Sequence, residues 1–350
     1  MSSLGFINST RQNIKSFTNL PYSPQMPVSA DIARVGLLAS VYLRFKGTLT
    51  ATHATKTTFT PAAGAPYNLA GRIQLLMNNG ITIWNTSGYG AYLQNLTNNL
   101  AYNLDQAGSS SSVFSFGNTV SAAGAANDLS FSLRLNVAIN DKDPIGLLLL
   151  QNDATVLTLQ IEAAVAAMLL SAADADVTAA VTGNWEVAIE FFSIPRDPAD
   201  YPALNRVHQV LEQSNPITAI GENRQVLPRG NTYRRLVNYL TLNGQLTDAI
   251  EKMRLVYNLT VTPYDITGSL AKIIQRERYG RDLPVGTYVW DMFYQGYPNV
   301  GANQRDLIVS RDLSEFNQFV IISNGAVLGG NNNSLNTVFD QVLQVDPMPV

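Results

Sequence analysis

Residues Val35–Thr50 read VGLLASVYLRFKGTLT, and this stretch decides the fold class. Val35, Leu37, Ala39, Val41, Leu43, Phe45 and Leu49 take the odd positions, while Ser40, Arg44, Lys46, Thr48 and Thr50 take even ones. Successive side chains of a strand point to opposite faces, so a period of two over this length marks a long strand with one buried face. The period returns at Leu129, Phe131, Leu133, Leu135, Val137 and Ile139, and again at Trp185, Val187, Ile189 and Phe191. In the last run Glu186 and Glu190 fall on the opposite face, which predicts that both carboxylates meet solvent. Later, Met253, Leu255, Tyr257, Leu259 and Val261 alternate as one strand, and Tyr288, Trp290 and Met292 as another. Shorter runs at 72–77, 81–84, 236–242, 307–310 and 319–322 add strands. Gly-, Pro- and Asn-rich turns between them predict an all-β sandwich architecture rather than βαβ units.

Two helices interrupt the strands. Tyr89, Leu93, Leu96 and Leu100 form an apolar stripe behind the cap candidates Thr86 and Ser87. Thr262-Pro263 opens a second helix, with Pro at its first position, the stripe Ile266, Leu270, Ile273 and Ile274, and Gly280 past its end. Three prolines within Ile194–Pro202 cannot continue a central strand and mark a boundary. The resulting division is an N-terminal arm at 1–30, a first β domain at 31–195, a Pro-rich linker at 196–206, and a second β domain with a C-terminal tail at 207–350. The arm carries Arg11 and Lys15 and no acid, and reads as a contact outside the barrel. Each domain holds many strands and one helix, yet no sequence repeat is visible.

Composition narrows the function. The 350 residues contain no Cys and two His (His53 and His208), which removes thiolate chemistry, Cys/His zinc sites and a His-based triad. Charged residues make up only 14% and the net charge is -3, so neither a basic nucleic-acid binder nor a disordered acidic chain fits. With so few charges, 32 Asn carry much of the polar surface, and a neutral, hydrogen-bonding exterior suits a protein packed against copies of itself. The start of the chain lacks the apolar core of a signal peptide. Thr155–Ala173, TVLTLQIEAAVAAMLLSAA, is the best membrane-span candidate, but Gln160, Glu162 and its alternation make it a strand running into an Ala-rich connection.

No Walker A, dinucleotide or nucleophile-elbow pattern occurs. Asp141-Lys142-Asp143-Pro144, and the pair Asp174 and Asp176, offer oxygen ligands for a cation or simple acidic turns. Arg224, Arg229, Arg234 and Arg235, followed by Lys272, Arg276, Arg278 and Arg281, suit a phosphate patch or, more simply, ion pairing. No residue is singled out as catalytic, cofactor-binding or metal-binding.

The order of elements and two local stretches carry a resemblance. Arg72–Trp84, RIQLLMNNGITIW, is a strand pair joined at Asn78-Asn79-Gly80 that leads into Thr86-Ser87-Gly88 and a helix. Arg276–Tyr288, RERYGRDLPVGTY, carries Leu283-Pro284-x-Gly286-x-Tyr288 into a strand. The chain resembles the major capsid proteins of tectivirus-type phages, in the double jelly-roll lineage shared with adenovirus hexon. The resemblance implies two eight-stranded jelly-roll barrels side by side, each with an inserted helix, plus the N-terminal arm. It implies a non-enzymatic homotrimer that tiles an icosahedral shell around an internal membrane and double-stranded DNA, without a cofactor. The implied partners are further copies, penton and minor capsid or membrane proteins, and the membrane through residues 1–30, with no direct nucleic-acid contact. The implied location is the virion, after synthesis in the host cytoplasm. The alternative is a β-sandwich receptor-binding spike, or a carbohydrate-binding or carbohydrate-active protein.

Overall fold

The computed structural model describes residues 6, 8–24, 26–78, 80–98, 114–139, 146–152, 154–197, 200–202, 204, 206–258, 260–292, 308–309, 313–329 and 332–344. The chain divides into two compact units, the first holding residues 6–95 and 114–209, the second residues 96–98 and 210–343.

The first unit is built from β1 (Gln12–Pro21), β2 (Val28–Asp31), β3 (Leu37–Thr52), β4 (Ala70–Met77), β5 (Ile81–Thr86), helix α1 (Gly88–Asn98), β6 (Ala125–Asn136), β7 (Leu157–Ala163) and β8 (Thr178–Phe192). One sheet has the order β1–β8–β3–β6 and the other β2–β7–β4–β5. All of these pairings are antiparallel. First, eighth, third and sixth strands in one sheet, with second, seventh, fourth and fifth in the other, is the strand order of a jelly roll. The second unit repeats it. Its elements are β9 (Arg206–Pro216), β10 (Gly221–Val226), β11 (Thr232–Leu242), β12 (Ile250–Tyr257), β13 (Val261–Thr267), helix α2 (Gly268–Tyr279), β14 (Thr287–Asp291), β15 (Phe316–Ile322) and β16 (Ser334–Gln344). The orders are β9–β16–β11–β14 and β10–β15–β12–β13. Two-residue ladders at Ser115–Phe116, Leu148–Leu149, Gln245–Leu246 and Ile308–Val309 add to these sheets.

The alternation read from the sequence becomes register in the first unit. Phe45 lies opposite Trp185 on one side and Phe131 on the other. Leu43 sits between Val187 and Leu133, and Val41 between Ile189 and Leu135. All nine are buried. Each row joins three strands of one sheet, so a slip of one residue would turn every one of these side chains outward.

Each unit inserts its helix after its fifth strand, and the approach to it is duplicated. Asn78 and Asn258, 180 residues apart, both have positive φ, 52° and 48°, at the hairpin tip. The Asn78 side-chain Oδ1 accepts from Val156 N at 2.8 Å, and Asn258 Oδ1 from Ser314 N at 2.7 Å. In each case the hairpin is pinned just ahead of the seventh strand of its own unit. Ten residues on stand Gly88 and Gly268, the first residues of the helices. A Cβ on Gly88 would lie 2.1 Å from Tyr67 O, and one on Gly268 2.0 Å from Ile250 O. The helix must begin against the backbone that opens the fourth strand, and only glycine fits. A repeat is therefore present, although too few identities survive for it to show in the sequence.

Four expectations change. Residues 12–21 and 28–31 are not part of a free arm; they are the first two strands of the first jelly roll, and β1 pairs with β8 from Gln12↔Phe192 to Pro21↔Asn184. Phe6 is also buried, in a cluster with Leu37, Ala39, Ala138 and Leu147. The run Met253–Val261 is a hairpin, not one strand, because Asn258 turns the chain. Pro263 lies in β13 rather than at a helix start; β13 ends its sheet, where a missing N–H is tolerated. Helix α2 starts at Gly268, capped by Thr267 Oγ1, and buries Ala271, Gln275 and Tyr279 in place of the expected stripe, leaving Leu270 and Ile273 exposed. Leu100 of the first stripe lies outside the described residues, and Tyr89, Leu93 and Leu96 are buried as expected.

Candidate assembly surfaces and buried charge clusters

The polar groups that stood out in the sequence are committed to partners inside the chain. Arg234 and Arg235 are adjacent and both buried, which the bulge between Tyr233 and Arg235 allows. Arg234 Nη1 donates to Asp340 Oδ1 at 2.9 Å. Arg235 lies 3.7 Å from Asp291 Oδ1 and 3.8 Å from Asp340 Oδ2, and donates to Thr97 Oγ1 and Asn98 Oδ1 at 3.1 and 2.8 Å. The Tyr279 hydroxyl donates to Asp291 Oδ2 at 2.8 Å; burial, and then the Asp291 charge, push its pKa well up, so it stays a donor. Residues of the basic clusters nearer the surface are also engaged. Arg224 meets Glu315 at 3.6 Å, Lys272 meets Asp248 at 2.6 Å and Arg276 meets Asp282 at 3.6 Å. Arg229 and Arg278 donate to the backbone oxygens of Leu313 and Asp291, and Arg281 Nη2 donates to Leu96 O at the end of α1. Ion pairs engage Arg224, Arg234, Arg235, Lys272 and Arg276, and backbone oxygens engage Arg229, Arg278 and Arg281.

The acidic candidates divide. Asp141 and Asp143 lie outside the described residues. Lys56 Nζ bridges Asp174 Oδ1 at 2.9 Å and Asp176 Oδ1 at 2.5 Å. His53 Nε2 faces Asp176 Oδ2 at 2.9 Å, while its Nδ1 accepts from the backbone N–H groups of Thr55 and Lys56. The Lys56 bond, joined by the Thr60 amide, holds the Asp174 carboxyl down at about 2. A lysine fills the place between the two carboxylates that a cation would take. Among the described residues no three His, Cys, Asp or Glu side chains gather as metal ligands.

Glu190 departs from its expected exposure. It is buried, accepting from Ser40 Oγ at 2.5 Å, Arg134 Nη2 at 2.8 Å, the Tyr42 hydroxyl at 3.1 Å and Gln12 Nε2. Burial alone pushes this carboxyl up; the Ser40 bond, the Arg134 charge and the remaining donors outweigh it and hold it below its ordinary value. Glu186 does reach solvent and pairs with Arg44 at 3.5 Å. The alternation rule misplaced Glu190 because Ser40 and Tyr42 of β3, Arg134 of β6 and Gln12 of β1 close over it.

Exposed apolar groups are unevenly placed. Helix α1 is buried from Gly88 to Thr97, whereas α2, its counterpart, exposes Leu270 at 45% and Ile273 at 63%. Strand β13 begins with exposed Val261, and β1 exposes Ile14. Thr155–Ala173 forms β7 followed by two short 3-10 turns, and among the described residues no helix is long and apolar enough to cross a membrane.

No family model matches the chain, and no curated protein does. Solved structures match along its whole length. The MCP of STIV aligns with a TM-score of 0.70 at 12% identity, covering 95% of this chain and 97% of that one. The PBCV-1 protein VP54 aligns at 0.63 and 11%, covering 97% and 95%. The major capsid protein P2 of bacteriophage PM2 aligns at 0.51 and 8%, covering 96% and 98%. The fold is the double jelly roll of these proteins.

Proposed function

We propose that this chain is a major capsid protein, a structural and non-enzymatic component of a virion. The observation that carries the reading is the match to capsid proteins over 95–97% of the chain, whose described residues form two jelly rolls. Two units of one strand order in a single chain give three copies six equivalent barrels, enough for a pseudo-hexagonal tile. In this reading such homotrimers pack into an icosahedral shell around an internal membrane and double-stranded DNA, as in tectivirus-like phages, with penton and minor capsid or membrane proteins as further partners. The low charge supports close packing, since 23 basic and 26 acidic groups leave little net repulsion between neighbours. Any membrane contact through residues 1–30 has to come from a segment that also supplies two barrel strands. The spike or carbohydrate-binding alternative is not favoured by these matches. Light scattering and negative-stain electron microscopy of the purified chain test the reading. A particle of three masses with six-lobed outline is expected; a monomer that resists concentration overturns it.

A further inference from the structure

We infer that Asn324 is a site of spontaneous modification, the deamidation of its side chain to aspartate and isoaspartate, and that the fold favours this one among three Asn-Gly pairs. The reaction requires only the folded chain, whether or not it assembles.

In an Asn-Gly pair the following backbone nitrogen reaches the side-chain carbon most freely, because glycine puts no Cβ in the way and restricts the backbone least. The chain contains three such pairs, Asn79-Gly80, Asn243-Gly244 and Asn324-Gly325. Two groups must be at liberty: the glycine N–H, which becomes the nucleophile, and the asparagine side chain, which has to swing onto it.

Asn243-Gly244, in the turn after β11, is held at both. Asn243 Nδ2 donates to Val327 O at 2.9 Å and its Oδ1 accepts from Gly329 N at 2.6 Å, while Gly244 N donates to Asn332 O at 3.1 Å. In Asn79-Gly80, between β4 and β5, Gly80 N donates to Met77 O at 3.1 Å. Asn324-Gly325 lies on the turn after β15, which Ala326 N closes onto Ser323 O at 2.9 Å. Both residues of this pair are exposed. Among the described residues no group is bonded to the Asn324 side chain. Gly325 N meets Ser323 Oγ at 3.4 Å, longer than the usual range of a hydrogen bond. The turn does not need glycine either: Gly325 has no positive φ, and a Cβ there would meet nothing nearer than Ser323 Oγ, 3.9 Å away.

In the first step the Gly325 nitrogen forms a bond to Asn324 Cγ, the Cγ–Nδ2 bond breaks, and ammonia leaves with the proton of the Gly325 amide. Water then opens the five-membered imide. Cleavage of the new bond gives aspartate; cleavage of the original peptide bond gives isoaspartate. One water is consumed for each ammonia released, and nothing is oxidised or reduced. Each converted copy carries one more carboxylate, on an exposed turn of a chain whose net charge is only -3, so older copies repel their neighbours more than new ones.

The test is peptide mapping of the full chain after incubation at mildly alkaline pH. Fragment masses locate the replacement of NH2 by OH, and chromatographic splitting into aspartate and isoaspartate identifies the imide route. Conversion at Asn324 is expected to outpace that at Asn79 by about fivefold, the factor that one intact hydrogen bond supplies, and that at Asn243 by more. In denaturant the three rates should converge. Gly325→Ala should suppress conversion at Asn324 without moving the thermal melt. Equal rates at the three pairs in the folded protein, a preference for Asn324 that persists in denaturant, or conversion unaffected by Gly325→Ala would each overturn Asn324 as a site selected by the fold.

Discussion

The two jelly rolls share a strand order and differ in what fills them. In the first, Phe45, Phe131 and Trp185 meet with ring centroids 4.9–5.7 Å apart, and Tyr67 and Tyr92 stack at 4.1 Å. In the second, buried amides bridge the sheets. Gln318 Nε2 donates to Asn238 Oδ1 at 2.7 Å, Trp290 Nε1 donates to Gln318 Oε1 at 2.9 Å, and Thr337 Oγ1 lies within 3.0 Å of both Asn238 Oδ1 and Gln225 Oε1. The four buried ions around Arg235 lie in the same unit. Topology thus does not dictate core chemistry. Apolar packing tolerates small shifts, whereas a hydrogen-bonded network satisfies its members only in one arrangement.

The largest expected effects test this contrast directly. Trp185→Ala removes the ring that rests on Phe45 and Phe131 and should cost about 3–5 kcal/mol through lost transfer energy and the cavity left behind. Arg235→Ala should cost a similar amount, about 3–5 kcal/mol, because Asp291 and Asp340 are left as incompletely compensated buried charges. Hydrogen exchange read separately over each unit checks both. Trp185→Ala is expected to lower protection in β3, β6 and β8, and Arg235→Ala in β11, β14 and β16. If Arg235→Ala proves harmless, the ions do not organise the second core.

Glu190→Gln comes next, at about 1.5–3 kcal/mol, the range for hydrogen bonds to a charged group. It keeps the shape and loses the charge that faces Arg134, whereas Glu186→Gln at the surface should leave the melt unchanged. The sign of the pH effect follows. The folded carboxyl of Glu190 lies below its ordinary 4.5, so its contribution is complete above that value and is lost as pH falls through the folded one. Asp174, ordinarily 3.8 and here about 2, adds a loss in the interval between those values. Acid titration of the wild type should therefore loosen the first unit from below about pH 4.5, and Glu190→Gln should remove the upper part of that transition.

These residues also show what a sequence can disclose. The long strands were legible because one face of each is apolar and the other polar, and burial follows that split in β3, β6 and β8. Strand β1 was not, since both of its faces are largely exposed and its pattern carries no period. That omission propagated to Glu190, whose face is covered partly by β1. Pro263 obeyed the rule for a helix start and also the rule for an edge strand, and nothing local distinguishes the two. The buried arginines were visible as a cluster, but only the bulge at Arg234 shows why two neighbours both turn inward. None of the candidate ligands or basic residues reads differently from an ordinary surface until its partner, distant in sequence, is in place.

The smallest effect sharpens the comparison most, because it is expected to be equal in the two units. Asn78 and Asn258 each hold a positive φ and each accept from the amide that precedes the seventh strand of their own unit. Replacement by Gly keeps the backbone conformation available and deletes that bond, together at Asn258 with a second one from Ser314 Oγ at 3.0 Å, a loss of about 1 kcal/mol for each bond. Replacement by Ala adds the penalty of a left-handed residue with a Cβ, so the total should reach about 2 kcal/mol. The measurement is exchange of the Val156 and Ser314 amides, which the bonds protect, in Asn78→Gly and Asn258→Gly variants. Each substitution should speed exchange at its own amide and leave the other unaltered, by factors that agree within about threefold, equivalent to about 0.65 kcal/mol. Equal factors would mean that the hairpin and its pin form one inherited unit, independent of whether the surrounding core is aromatic or polar. A large effect at Asn78 with none at Asn258 would mean that the polar core of the second jelly roll holds its seventh strand without help from the turn, and that the repeat is one of geometry alone.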